Sequence, residues 1–194
     1  MFRENLPWGV LSLFLTLAIL LQFGGPNQVF SQEIFTTQYA VVLANSPADL
    51  LEMERRLQFA APATVSHSRS TGELAFHPGL SRLAGKIDGT LLRVAGILRL
   101  SPSSRVNVVL LPDGKEVRRQ HVNLVPGQRP GLFGYGSLQA FYYTGNRTVY
   151  LSLADLREGI LAHEMTHHLL CTAVALPPPA QIQEKWAQYV ESRL

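Results

Sequence analysis

Between Glu158 and Leu170 the chain sets His163, Glu164 and His167, in the order His-Glu-Met-Thr-His, among apolar residues at helical spacing. No other stretch restricts the fold as much. Leu156, Ile160, Leu161, Met165, Leu169 and Leu170 recur with the period of a helix, and neither Pro nor Gly falls between Ile160 and Leu176. The spacing predicts a buried helix. Two histidines four apart project from one face, so both imidazoles can reach a single metal ion. Glu164 lies beside that face, where its carboxylate can take a proton from a metal-activated water instead of ligating the ion. Asp155 and Glu158 are placed in the first turn, where the helix dipole favours acids, and Ser152 or Asp155 is the expected N-cap.

A hydrolytic site of this kind needs a third protein ligand and an open position for water. Glu184 is the candidate. It lies on the segment Ala180 to Leu194, after the break Pro177-Pro178-Pro179, where Ile182, Trp186, Tyr189 and Val190 stand at helix-compatible spacing. Glu184 is expected to face back toward the histidines.

These residues resemble the gluzincin metallopeptidases, the thermolysin-like members of peptidase clan MA, in which a downstream glutamate completes a two-histidine zinc site. In that group the glutamate often stands in a run such as E-G-x-A-x-Y. Glu184-Lys185-Trp186-Ala187-Gln188-Tyr189 keeps Glu, Ala and Tyr, with Lys185 in place of Gly. Upstream, Gln139-Ala140-Phe141-Tyr142, a turn at Thr144-Gly145-Asn146 and then Thr148 to Ser152 are similar to the edge hairpin before the zinc helix in that family. The resemblance spans Val106 to Glu191. It implies an α+β fold: a zincin-like single lobe with a mixed, twisted sheet and an edge hairpin, packed on a zinc helix and a glutamate helix. It further implies Zn2+ held by His163, His167 and Glu184, with Glu164 as general base. A peptide or protein substrate would lie along Gln139, Ala140, Phe141 and Tyr142, as relatives bind substrate backbone on the first strand of the hairpin.

Two departures from the family stand out. Its aspartate four residues after the ligand glutamate, which steadies one histidine through the second ring nitrogen, is Gln188 here. Its oxyanion donor, a Tyr or His from a following domain, has only local candidates in Tyr135, Tyr142, Tyr143 and His168. These departures favour an alternative, a degenerate zinc-containing module that binds peptides without proteolysis. Glu164 opposes it, because a purely structural zinc has no use for a general base. A third reading takes the two histidines as core residues without metal.

Residues 1–31 read as a leader: Arg3 in a short polar start, an apolar run from Leu6 to Phe23, then Gly24-Gly25-Pro26 and a cut before Gln32. A cleaved signal peptide or an uncleaved N-terminal membrane anchor is expected, and either places the domain outside the cytoplasm, whether secreted, periplasmic or anchored facing outward. Residues 32–194 suit one zincin-like domain, expected to be a monomer. The net charge of +3 comes from scattered basic residues, so no nucleic-acid partner is expected. The single Cys171 cannot form an internal disulfide and reads as a buried thiol.

Elsewhere the pattern predicts a strand over 39–44, a helix from Ser46-Pro47 to about residue 60, and a weak hairpin over 64–76. His67 and His77 lack metal spacing. A long helix is predicted over 80–100, with Gly85, Gly89 and Gly96 permitting close packing. Val106 to Leu111 reads as the central strand, ended by a turn at Pro112-Asp113-Gly114. Lys115 to Val125 carries no decisive pattern, and the glycine-rich 126–137 is expected to be a loop near the cleft.

Overall fold

In the computed structural model the chain divides into two units, Met1–Ser31 and Gln32–Leu194. The residues described are 32–58, 69–70, 78–125 and 138–194. The leader, the hairpin expected at 64–76 apart from 69–70, His67, His77, Tyr135 and the loop 126–137 lie outside them.

Strand β4 (Val106–Leu111) occupies the middle of the sheet, as its near-continuous apolar run requires of a strand covered on both faces. It pairs in parallel with β2 (Ala40–Ala44) on one side and β6 (Thr148–Ser152) on the other. Beyond β2 run β1 (Glu33–Thr36) and the two-residue β3 (Arg69–Ser70), and beyond β6 runs the edge strand β5 (Ala140–Tyr143), all antiparallel to their neighbours. The sheet order is therefore β3-β1-β2-β4-β6-β5, a mixed sheet in an α+β fold. The register pairs Phe141 with Tyr150 and Tyr142 with Val149, so β5 is the outer member of an edge hairpin. The Tyr143 ring packs over Gly145 in the hairpin turn, so close that a Cβ there would lie 2.7 Å from the ring. Arg147 completes the turn in the left-handed region at φ 55°.

Alternation along the strands separates two layers. Val42, Val106, Val108, Leu110, Val149 and Leu151 join the main core with helices α1 (Pro47–Arg56), α2 (Pro78–Leu98) and α4 (Glu158–Thr172). Helix α3 (Gly114–Leu124) packs against β4, β5 and β6. There His121 meets Phe141 edge-on, and Phe141 stacks on Tyr150. Helix α5 (Ala180–Glu191) packs on α4 and α2.

Local chemistry sets the boundaries. Ser46 and Asp49 form a capping box at the start of α1, with Pro47 at its first position. Helix α2 ends in a Schellman arrangement, in which Leu100 N–H bonds the Ala95 carbonyl at 2.9 Å and Arg99 N–H bonds the Gly96 carbonyl at 3.2 Å. Arg99 takes the left-handed conformation there at φ 53°. Gly85 and Gly89 are buried, whereas Gly96 is exposed and a Cβ added to it would meet nothing within 4 Å, so it serves no close packing. Asp113 proves to be an N-cap, accepting from the backbone N–H of Lys115 and Glu116, and starts α3 where the sequence pattern was indecisive. The turn joining β1 to β2 is tied to α2 by Asp88, whose carboxylate accepts from Thr37 Oγ1 at 2.5 Å and from the N–H groups of Gln38 and Tyr39.

Candidate metal centre

Helix α4 buries Leu161, Ala162, Met165 and Leu169 completely, which fixes its rotation and turns His163 and His167 to the opposite, more accessible side, flanked there by Ile160 and Leu170. Its first turn is held by Glu158, whose carboxylate pairs with Arg93 at 2.9 Å. Neither Ser152 nor Asp155 caps it. Ser152 still belongs to β6, and the two side chains bond each other instead, Ser152 Oγ donating to Asp155 Oδ2 at 2.6 Å. The N-cap position falls on Arg157, without a side-chain bond.

Helix α5 begins directly after the three prolines. Ala187 and Val190 are its buried residues, and the small Ala187 permits close approach to its neighbours. Of the four apolar residues in the sequence pattern only Val190 is buried, whereas Ile182, Trp186 and Tyr189 face outward on an exposed flank. They line an open groove together with Ile97 and Leu98. The packed flank carries Gln183, Glu184 and Glu191 toward α4.

Glu184 does face the histidines. Its Oε2 lies 3.5 Å from His163 Nε2 and 3.6 Å from His167 Nε2, and one ligand atom from each of the three residues falls within 4.8 Å of the others. A charge-assisted hydrogen bond would close to about 2.7–3.2 Å. By contrast, ligands held about 2.0–2.2 Å from a tetrahedral ion stand roughly 3.3–3.6 Å apart. The two carboxylate–imidazole separations match the second geometry. His163, His167 and Glu184 therefore form a group that could hold a metal ion, and the donor set of two nitrogens and one carboxylate suits that role.

Both imidazoles are also engaged at the other nitrogen. His167 Nδ1 lies 3.3 Å from Gln183 Oε1, and Gln183 is oriented by its own Nε2–H donating to the Pro178 carbonyl at 2.7 Å. An amide oxygen only accepts, so His167 carries its proton on Nδ1 and turns a free Nε2 lone pair to Glu184. Burial lowers the His167 pKa and favours the neutral ring that ligation requires. His163 Nδ1 lies 3.3 Å from Glu191 Oε2. Gln188 bonds Glu184 itself, its Nε2 donating to Oε1 at 2.9 Å. Sequence reasoning missed Gln183 as a partner, although its place next to the ligand glutamate was the available signal. Cys171 is half-buried rather than enclosed in apolar surroundings, because its thiol reaches Gln183 Oε1 at 3.5 Å.

Glu164 points inward beneath the site and is only 7% exposed. Its carboxyl is pushed up to about 8, first by burial and then by the charge of Glu184, against the pull of a hydrogen bond from the Tyr142 backbone N–H. That bond links edge strand β5 to the motif, so Ala140, Phe141 and Tyr142 run beside Glu164, and Gln139 precedes them in an exposed position. Two candidate oxyanion donors are turned away from solvent. His168 is wholly buried, bonds the Ser104 carbonyl and meets the Tyr142 ring edge-on, and burial lowers its pKa to about 4. The Tyr142 hydroxyl is buried without a partner among the described residues, and burial raises its pKa above the ordinary phenol range. Tyr143 packs over Gly145. Among the described residues no helix is long and apolar enough to cross a membrane. Comparison with known proteins finds no matching family model, no matching curated protein and no matching solved structure.

Proposed function

We propose that the protein is a zinc-dependent peptide hydrolase of the gluzincin kind, built as a single zincin-like lobe. The observation that carries this reading is the approach of Glu184 Oε2 to His163 Nε2 and to His167 Nε2 at 3.5 and 3.6 Å, separations that suit ligands of one tetrahedral ion. Zinc in a three-ligand site with one open position supplies Lewis acidity and makes a water molecule acidic near neutrality.

The residues of the chain supply the rest. His163, His167 and Glu184 hold the ion. Glu164 neighbours that face without being part of the ligand group, and its carboxylate takes the proton of the attacking water and delivers it to the leaving amine. An extended substrate adds along Gln139, Ala140, Phe141 and Tyr142, where an edge strand offers backbone hydrogen bonds with little side-chain selection. The leader delivers the domain to an extracytoplasmic compartment.

The test uses the purified full chain, zinc analysis and an unfolded casein-like substrate. One zinc per chain, cleavage by the wild type, and loss of cleavage with zinc retained in Glu164→Gln are the expected results. Cleavage unchanged in that variant would overturn the role of Glu164. A second reading, a zinc-containing peptide-binding module without proteolysis, draws on the burial of Tyr142 Oη and His168 away from solvent. It predicts zinc and peptide binding in a wild type that leaves the substrate intact.

A further inference from the structure

The ring nitrogen of His163 that points away from Glu184 meets a second carboxylate. Glu191 Oε2 lies 3.3 Å from His163 Nδ1, and Glu191 follows Glu184 by seven residues, close to two helical turns. Glu184 and Glu191 thus share the flank of α5 that meets α4. An ionised carboxylate only accepts, so this contact is a hydrogen bond when His163 carries a proton on Nδ1. In that form the Nε2 lone pair faces Glu184, ready for a metal ion.

The contact depends on an absence of side chain one turn earlier. Residue 159 is glycine, and a Cβ built there would lie 3.2 Å from Glu191 Cγ and 3.4 Å from Glu191 Oε1. That is tighter than ordinary contact, and the neighbour is the very side chain that reaches His163. An alanine at 159 would make the Glu191 side chain give by a few tenths of an ångström, and larger side chains would ask more of it.

We infer that Glu191 is the positioning carboxylate of His163, and that Gly159 is the gap through which it reaches the ring. The inference rests on the metal-site reading above. It also explains how the chain does without a carboxylate at residue 188: the support for the first histidine comes from one turn further along, and the amide of Gln188 is left to hold Glu184. A carboxylate behind a ligand histidine fixes the ring and raises its basicity, and losing such a partner costs roughly 10- to 100-fold in metal affinity.

Two readouts on the full chain test this. Imidazole 15N–1H correlation spectra of the zinc-free protein report the His163 tautomer, and competition with a chromophoric chelator reports zinc affinity. The wild type should show the Nδ1–H form, Glu191→Ala should lose that preference and bind zinc roughly 10- to 100-fold more weakly, and Gly159→Ala should shift in the same direction by a smaller factor. Glu191→Gln, which keeps an accepting oxygen, should fall between Glu191→Ala and the wild type. Substitution with Co2+ should shift its visible absorption in Glu191→Ala, and an unaltered thermal midpoint in Glu191→Gln shows that the fold is intact. If the wild type binds zinc and Glu191→Ala matches it within about twofold with an unchanged tautomer, the inference is overturned. A wild type that takes up no zinc overturns the metal reading itself, and this inference with it.

Discussion

Gln188 Nε2 donates to Glu184 Oε1 at 2.9 Å, one turn along the same helix, while the other oxygen of Glu184 faces the two imidazoles. The ligand carboxylate is thereby held in orientation from its own helix. Replacing Gln188 by Ala should weaken zinc binding by roughly 2- to 10-fold, the worth of one exposed hydrogen bond. Calorimetric titration with zinc measures this, and an unchanged affinity would refute the orienting role.

Removing the metal should loosen the pairing of α4 and α5. An ion bound to the folded chain at a hundred times its dissociation constant adds about 2.7 kcal/mol of stability. For a domain of this size that corresponds to a fall of roughly 5 to 10 °C in Tm on chelation. Calorimetry with and without a chelator measures it. His163→Ala and His167→Ala should show no such shift, and a shift that survives in them would place the ion elsewhere.

Asp88 is buried on α2 and accepts from Thr37 Oγ1 and from the backbone N–H groups of Gln38 and Tyr39. Its replacement by Ala strands donors in the turn between β1 and β2, at a cost of roughly 2–4 kcal/mol. Urea unfolding should show this as a lower midpoint. A change under about 0.5 kcal/mol would mean that the turn is satisfied in another way.

Glu54 lies between α1 and α2, 2.9 Å from Lys86 and 3.2 Å from Arg82. Burial pushes its carboxyl up, but hydrogen bonds from Lys86 and Arg82 outweigh that and leave it below the ordinary value. A carboxyl lowered on folding binds its proton less readily in the folded chain than in the unfolded one. Its stabilisation is therefore complete above the ordinary carboxylate range and is lost as the pH falls through the lowered value. Thermal melts should show Glu54→Gln less stable than the wild type by about 1–2 kcal/mol at pH 7, with the gap closing as the pH falls through and below the ordinary carboxylate range. A gap that stays constant with pH would rule out the ionic origin.

Much of this was legible because a helix announces itself through periodicity. The run from Ile160 to Leu170 predicted a buried helix, and α4 spans Glu158–Thr172. The six apolar-rich residues of β4 predicted the middle of a sheet, where they lie. Glu184 was found by asking where a third ligand could stand, and its Oε2 lies 3.5 and 3.6 Å from the two rings. Other features had no local signature. Strand β1 reads only Glu-Ile-Phe-Thr and is placed by pairing with β2 and by Asp88, fifty residues away. Helix α3 buries little beyond Gly114 and Val117, so it shows almost no apolar stripe. Gly159 looks like an ordinary residue at a helix start until Glu191 is seen crossing over it. Ser152 and Asp155 have the chemistry of caps, yet strand β6 claims the first and turns both onto each other.

All three ligand candidates lie within residues 163–184, on two helices joined by the short segment 173–179. Bringing such near neighbours together closes a loop of roughly twenty residues, a small entropic demand beside that of aligning β2, β4 and β6 from across the chain. A cation captured by this helical pair would clip α4 to α5 across a short loop, so folding in the presence of metal is expected to begin at the C-terminal end of the domain.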